Sequence, residues 1–324
     1  MKIAIFGTRG IPNLYGGFEQ FAQYLSEGLC KHGHDVYVYN SHDHNYQEKK
    51  WKEVNIIHCY NPEYKLGAVG QFFYDLNCIL DSRKRDFDVI LQLGYTSSSI
   101  WNWLFNSKIK LFTNMDGLEW SRAKYSKVVS MFLKFAENLA IKNSDVLISD
   151  NIGIQNYLQK KYKINSEYIP YGAHVFDNPD KNVLNEFQLI PFKYDLIIAR
   201  IEPENNIKTI IDAFILSNVD RKLVVIGNLQ TKLGKQIMTY VSDPRIIFTG
   251  FISSIDKLNN LRYYSNLYFH GHSVGGTNPS LIEAMASNSF ICAHDNIFNS
   301  SILQDNAIYF STKNQLISII QSYL

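Results

Sequence analysis

The sequence predicts an α/β protein of two tandem Rossmann-like, doubly wound domains that face each other across a cleft. Three observations carry that expectation. A chain of 324 residues is longer than one hydrophobic core usually serves, so it divides. Residues 2–40 run apolar strand, glycine loop, amphipathic helix, apolar strand, which is the order of a βαβ unit. The same alternation starts afresh near Tyr194, after a stretch rich in proline, glycine and asparagine.

In chain order, KIAIF at 2–6 is a short apolar run of the kind buried on both faces of a parallel sheet. It stops at a glycine loop, after which FEQFAQYLSEGLCKHG spaces its apolar residues as a helix does and ends at Gly33. DVYVYN is the next strand, and the crossover between parallel strands puts the glycine loop at the carboxyl edge of the sheet. DVILQL, KIKLFT and SDVLISD are further strands, separated by helix-length segments. SEYIPYGAHVFDNPD breaks the periodicity, and the domains are expected at 1–175 and 190–324. Beyond it come the strand YDLIIAR, the helix NNIKTIIDAFILS, the strands KLVVIG, RIIFTG and NLYFHG, the helix PSLIEAMAS and the strand FICAHD.

Composition narrows the function classes. With 46% hydrophobic and 19% charged residues the chain has the material for large cores and does not read as disordered. Its 32 basic and 30 acidic residues, a net charge of +2, are too balanced for general phosphate neutralisation, so no nucleic-acid partner is expected. Cys30, Cys59, Cys78 and Cys292 form no CxxC pair and read as reduced thiols. The apolar run in MKIAIFGTRG is too short for a signal peptide or a span, and no other uncharged run approaches span length, so a cytoplasmic protein is expected.

Two glycine loops and one arginine are the candidates for chemistry. GTRGIPNLYGGFEQF places Gly16 and Gly17 just before a helix, where bare backbone lets a bound group approach and helix N–H groups favour an anion. The same glycines serve a tight strand-to-helix turn. A dinucleotide fingerprint is absent: the spacing is not G-x-G-x-x-G, and the second strand ends in Asn40 rather than an acid. Arg200 ends the strand YDLIIAR and is suited to grip a phosphate bidentately, against the alternative of a surface salt bridge to Glu202 or Glu204. HSVGGTNPSLIEAMASN then sets Gly275, Gly276, Thr277 and Asn278 before a helix that Pro279 suits at its first turn. Thr277, Asn278 and Ser280 either cap that helix or leave its N–H groups to an oxyanion. Glu283 in the following turn either accepts two ribose hydroxyls or only favours the helix dipole.

MKIAIFGTRGIPNLYGGFEQF, ARIEPENN and HSVGGTNPSLIEAMASNSFICAHDNIFN together resemble glycosyltransferase family four, the large retaining family with the GT-B fold. More closely they resemble its bacterial rhamnosyltransferase-like subgroup, which builds surface polysaccharides. The resemblance runs over nearly the whole chain and is most specific in the last segment. It implies an E-x7-E signature across the turn and helix, with Glu283 matching the second Glu, which holds the nucleotide ribose. It also implies that the amides of Thr277 and Asn278 cover the diphosphate. Two departures stand out: Gly275 replaces the first Glu, which contacts the donor sugar, and Asn205 replaces the usual Lys five residues after the arginine. Lys208 lies about one turn further along. These changes suggest altered sugar recognition, and the resemblance implies that relatives continue past QLISIIQSYL into a helix that crosses back to the first domain.

Asp116 in FTNMDGLEWSRAKYSK follows a strand end, where it could bind sugar hydroxyls, orient an acceptor nucleophile or cap a helix. Arg122, Lys124, Lys127 and Lys134, set among Trp120, Tyr125, Phe132 and Phe135, suit a helix face for peripheral contact with an anionic membrane at its inner side; a solvated face accounts for them equally. No metal is expected. DFD at Asp86–Asp88 precedes its strand and so lies at the wrong sheet edge, and the pairs His42/His44 and His270/His272 lack further ligands at recognisable spacing. His42 and His44 are expected to be solvated. The reading is a retaining, metal-independent hexosyltransferase needing no cofactor, with a nucleotide diphosphate sugar as donor and a lipid-linked glycan as acceptor. Arg200 and Asp116 are its expected catalytic residues. A sugar-nucleotide epimerase on the same fold, or a non-catalytic nucleotide-sugar-binding homologue, are the alternatives.

Overall fold

The computed structural model describes residues 1–14, 16–122 and 125–323. They form two compact units, one of Met1–Ser121 with Tyr125–Pro170 and one of Tyr171–Leu324 joined by Arg122. The division falls inside SEYIPYGAHVFDNPD, where proline and glycine interrupt the chain.

The first unit has strands β1 (Lys2–Phe6), β2 (Asp35–Ser41), β3 (Lys50–Trp51), β4 (Val54–Cys59), β5 (Val89–Leu93), β6 (Lys110–Asn114), β7 (Val146–Ser149) and β8 (Glu167–Tyr168). They form one eight-stranded sheet in the order β3-β4-β2-β1-β5-β6-β7-β8, parallel except for the short β3 against β4. Its helices are α1 (Gly17–Lys31), α2 (Glu63–Leu66), α3 (Ala68–Ser82), α4 (Lys127–Asn143) and α5 (Ile152–Tyr162). Apolar side chains on the two faces of the sheet form separate clusters, one around Phe6, Tyr39 and Ile79 and one around Ile5, Val38 and Leu91. That is why these strands carry apolar runs such as IAIF and VIL, without strict alternation.

The second unit has β9 (Tyr194–Ile198), β10 (Lys222–Ile226), β11 (Ile246–Gly250), β12 (Tyr268–His270), β13 (Ile291–His294) and β14 (Ile308–Phe310), with α6 (Ile207–Ser217), α7 (Lys232–Ile237), α8 (Ile255–Tyr263), α9 (Pro279–Ala286), α10 (Ile297–Leu303) and α11 (Lys313–Ser322). The six strands run in the order β11-β10-β9-β12-β13-β14 and all their pairings are parallel.

In each sheet the chain winds outward in one direction and then returns to wind in the other. The reversal lies between β1 and β5 in the first unit and between β9 and β12 in the second. Loops leaving the carboxyl ends of such a strand pair diverge to opposite faces and leave a crevice, the usual ligand position in open α/β sheets. In the first unit those loops begin at Gly7 and Gly94; in the second they begin at Ala199 and Gly271. Asp88 lies at the opposite edge, accepting the Lys2 N–H at 2.7 Å. Among the described residues no helix is long and apolar enough to cross a membrane.

Candidate active site

The second unit's reversal point brings Arg200 and the glycine turn together. The loop after β9 is stitched to the loop after β12. Asn206 donates to the Gly271 carbonyl at 2.8 Å, and the N–H and hydroxyl of Ser273 both donate to the Glu204 carbonyl at 2.9 Å. Asn205 is buried between them. Its Nδ2 donates to the Arg200 carbonyl at 2.7 Å, so its Oδ1 is the acceptor that meets Nδ1 of His272, also at 2.7 Å. That hydrogen bond places the His272 proton on Nδ1. Asn296 and Asn299 at the start of α10 donate to the His272 carbonyl at 3.0 and 2.9 Å. Asn205, where the resemblance led us to expect Lys, is thus a structural tie. Lys208 is engaged elsewhere, 2.7 Å from Asp212.

Gly275 owes its identity to His272. Its φ is +140°, and a Cβ built there would lie 2.7 Å from the His272 Nε2. Any side chain at this position, the carboxylate of an E-x7-E signature included, would clash with the imidazole and strain the backbone. Burial is the main reason the His272 pKa lies well below the usual value, with His270, Arg122, Arg200 and His294 as neighbouring positive charges that push it the same way. Burial also pushes His270 down to about 3.

The turn itself is short of partners. Gly275 and Gly276 are buried, yet among the described residues their N–H groups, and that of Asn278, donate to nothing. Buried backbone N–H groups are nearly always paired. Asn278 uses its side chain as the N-cap of α9, accepting the Ser280 N–H at 2.9 Å, and Pro279 takes the first helical position. Thr277 is buried beside it. Arg200, two residues past β9, is exposed, and its guanidinium meets no carboxylate among the described residues. A salt bridge to Glu202 or Glu204 is therefore not what holds it; Glu204 faces Arg122 at 3.4 Å.

Glu283 is held from below by a residue the sequence did not single out. Arg262 of α8 is fully buried and donates to Glu283 Oε2 at 2.5 Å, to Ser280 Oγ at 3.0 Å and to Asn259 Oδ1 at 2.9 Å. The Tyr268 hydroxyl, on β12, meets Ser280 Oγ at 2.8 Å. The carboxylate is thereby fixed on one side of α9 by a buried guanidinium. No sequence signal marks an arginine 21 residues upstream as its partner.

The first unit's glycine loop is built differently. The N–H groups of Arg9, Gly10, Ile11, Asn13 and Gly16 donate to Glu19, Thr8, Asn40, Gln23 and Asn13 in turn, at 2.7–3.2 Å. Gly16 is the N-cap of α1 and Gly17 its first residue. A Cβ on Gly16 would lie 2.3 Å from the buried Glu19 carboxylate, so the glycine makes room for an acid of the chain itself. Arg9 is paired with Glu63 at 2.7 Å. Asp116 lies two residues past β6 in a left-handed conformation, φ 49°, its N–H donating to Asn114 Oδ1 at 2.9 Å.

Two expectations need correction. His42 and His44 are not a solvated pair: His44 is buried and its Nδ1 accepts the Tyr46 N–H at 3.1 Å, while His42 Nδ1 accepts the Asn61 N–H at 3.0 Å and its ring lies 4.8 Å from that of Tyr60. The basic, aromatic helix face is also composed differently. Trp120 is tied down by a hydrogen bond to Glu137 at 3.1 Å, Phe132 packs on Phe72, Arg122 faces Glu204, and Lys124 lies outside the described residues. Among the described residues no group of three His, Cys, Asp or Glu could hold a metal ion.

Residues 1–174 match the model of the family described as Domain of unknown function (DUF1972), and residues 191–319 match that of Glycosyl transferases group 1. No curated protein matches by sequence. Among solved structures, sucrose-phosphate synthase from Thermosynechococcus elongatus superposes with a TM-score of 0.79 at 18% identity, over 99% of this chain and 89% of that one. HepE of Anabaena, solved in complex with UDP-glucose, gives 0.69 at 13% over the same shares, 99% and 89%. A glycosyltransferase from Rickettsia africae gives 0.66 at 14%, over 99% and 86%. The fold is that of the GT-B glycosyltransferases.

Proposed function

Because the chain belongs to the family described as Domain of unknown function (DUF1972), whose model covers residues 1–174, and its second unit matches the group 1 glycosyl transferases, we propose that it is a retaining, metal-independent glycosyltransferase. It moves a sugar, with rhamnose the first candidate, from a nucleotide diphosphate sugar to a hydroxyl of a lipid-linked glycan during assembly of a bacterial surface polysaccharide. The observation that carries the reading is the pair of buried amides at Gly275 and Gly276 and the guanidinium of Arg200, all without a partner among the described residues, at the sheet's reversal point. Donors without acceptors next to a bare guanidinium suit a diphosphate.

In this reading the N–H groups of Gly275, Gly276, Thr277 and Asn278 and the Arg200 guanidinium take the diphosphate, while Glu283 accepts the ribose hydroxyls. As the glycosidic bond breaks, negative charge grows on the departing diphosphate, and preorganised donors stabilise it there without a cation. The first unit takes the acceptor near Gly16 and Gly17, with Asp116 orienting the nucleophilic hydroxyl. The protein supplies positioning and leaving-group stabilisation and needs no cofactor.

A thermal-shift panel of nucleotide sugars that includes dTDP-rhamnose and UDP-glucose identifies the donor, since a bound donor raises Tm. Arg200→Ala should weaken that donor by about 10–100-fold, the loss of charge-assisted hydrogen bonds, and leave the Tm of the free protein unchanged. Unchanged donor affinity would remove Arg200 from the site. An epimer formed from the donor alone would replace transfer by epimerisation.

A further inference from the structure

The outward face of α4 carries an unusual residue set. Val128, Met131 and Phe135 are 76%, 72% and 55% exposed, and they are interspersed with exposed Lys127, Lys134 and Lys142. Positions 127, 128, 131, 134, 135 and 142 recur at helical spacing, so they form one stripe. The only acidic residue of α4, Glu137, is buried and accepts hydrogen bonds from Trp120, Tyr157, Tyr162 and Lys161. A face designed only for water would carry acids and i,i+4 ion pairs with these lysines; among the described residues this one carries neither. Lys134 lies over the Trp120 ring at 4.4 Å, which keeps its stem flat on the protein.

The patch continues beyond the helix. Phe72 of α3 packs on Phe132 of α4 with ring centroids 5.6 Å apart, and the Trp101 Nε1 donates to the Phe72 carbonyl at 2.9 Å. The short helical segment that holds Trp101 therefore packs beside α3, and it carries Trp103 with 72% of its surface exposed. Exposed Val69 and Phe73 lie on α3 itself. Exposed apolar side chains gathered on neighbouring elements mark an interaction site.

We propose that this face docks the protein on an anionic lipid bilayer. The apolar side chains enter the level of the headgroups, where an indole such as Trp103 is favourably placed, and the lysines meet lipid phosphates. A second copy is the poorer occupant, because a two-fold contact through the same stripe would set lysine against lysine. The inference is independent of the glycosyl-transfer reading, since vesicle binding requires no donor, and it would bring the chain to where a lipid-carried acceptor lies.

The test is flotation of the full chain with vesicles of phosphatidylglycerol and phosphatidylcholine against pure phosphatidylcholine. Wild type should float with the anionic vesicles, and about tenfold less with the neutral ones or at high salt. M131E/F135E and K127E/K134E should each weaken flotation by about tenfold or more, with Tm and circular dichroism unchanged, as expected for exposed positions. No flotation of wild type, or equal flotation of both variants, overturns the proposal. Sedimentation showing a wild-type dimer that M131E/F135E makes monomeric would assign the face to a second copy instead.

Discussion

The two glycine loops occupy equivalent places, each after the first strand of a parallel sheet or its neighbour at the reversal point, and each opening into a helix. The loop of the first unit is satisfied from within: five of its N–H groups donate to side chains of the same unit, an acid lies against Gly16, and Arg9 is neutralised by Glu63. Among the described residues, the turn of the second unit leaves buried amides and Arg200 without partners. Two glycine-rich loops thus hide opposite electrostatics. Glycine says that backbone comes close to something; the surrounding charges say whether that is a ligand or the chain's own carboxylate.

The largest effect should come from the pair beneath the second turn. Glu283→Ala leaves Arg262, 1% exposed on its side chain, as a buried charge without its counter-ion, which typically costs about 3–5 kcal/mol. At roughly 2–4 °C per kcal/mol for a chain of this size, Tm should fall by about 10 °C, and donor binding should be lost with it. Glu283→Gln separates the two effects. The amide still accepts from Arg262, so most stability should return, while ribose affinity stays low. Full donor affinity in Glu283→Gln with reduced stability would make Glu283 purely structural.

Acidification should drive the two units in opposite directions. His270 is buried neutral, its pKa held at about 3 against 6.5 in the unfolded chain. Its contribution is whole above pH 6.5 and is lost as pH falls toward 3, so at pH 5 the second unit gives up about 2 kcal/mol from this group alone. His272, displaced the same way by burial, adds to the loss. In the first unit burial pushes Asp75 up to about 7 from 3.8, despite hydrogen bonds from Ser97 at 2.5 Å and Gln71 at 3.2 Å. That carboxyl is comfortable protonated, and its penalty grows as pH rises from 3.8 to 7. All four tryptophans, Trp51, Trp101, Trp103 and Trp120, belong to the first unit, so their fluorescence isolates its transition. Calorimetry at pH 7.5 and 5 should show the second unit's transition fall while the fluorescence-detected one holds or rises. Parallel shifts of both would contradict this difference.

How much of this was legible depended on where the signal sat. Apolar runs such as LII in β9 and LVVI in β10 are read directly because burial on both sheet faces demands them, and NPSLIEAMA carries its cap, proline and apolar spacing in nine residues. VNIIHC and IYF were not read as strands: the first follows a charged turn and the second is only three residues long. The polar helix α8, IDKLNNLRY, gave no periodic signal, yet it delivers Arg262. Within the site, Arg200 and the glycine turn were visible as residue types at a strand end. The ties that make the site, Asn205 to His272 and Arg262 to Glu283, join positions 67 and 21 residues apart, and no local pattern encodes such pairs. Gly275 was visible as a departure, but its cause, the His272 ring, was not.

The smallest predicted effect bears most directly on the comparison. Glu19→Gln keeps an oxygen for the Arg9 N–H, now 2.8 Å from Glu19 Oε1, but removes the charge at the start of α1. Losing charge assistance and the helix-dipole contribution should cost about 1 kcal/mol together, read as a fall of roughly 2–4 °C in the fluorescence-detected Tm. Donor affinity should not change, because in our reading the donor's anion lies in the second unit. If inorganic pyrophosphate instead bound more tightly to Glu19→Gln, and Arg200→Ala left that gain intact, the first loop would be an anion site occupied by its own carboxylate in the free protein. The contrast between a self-satisfied loop and an open one would then become a contrast between two anion sites, one of them gated by Glu19.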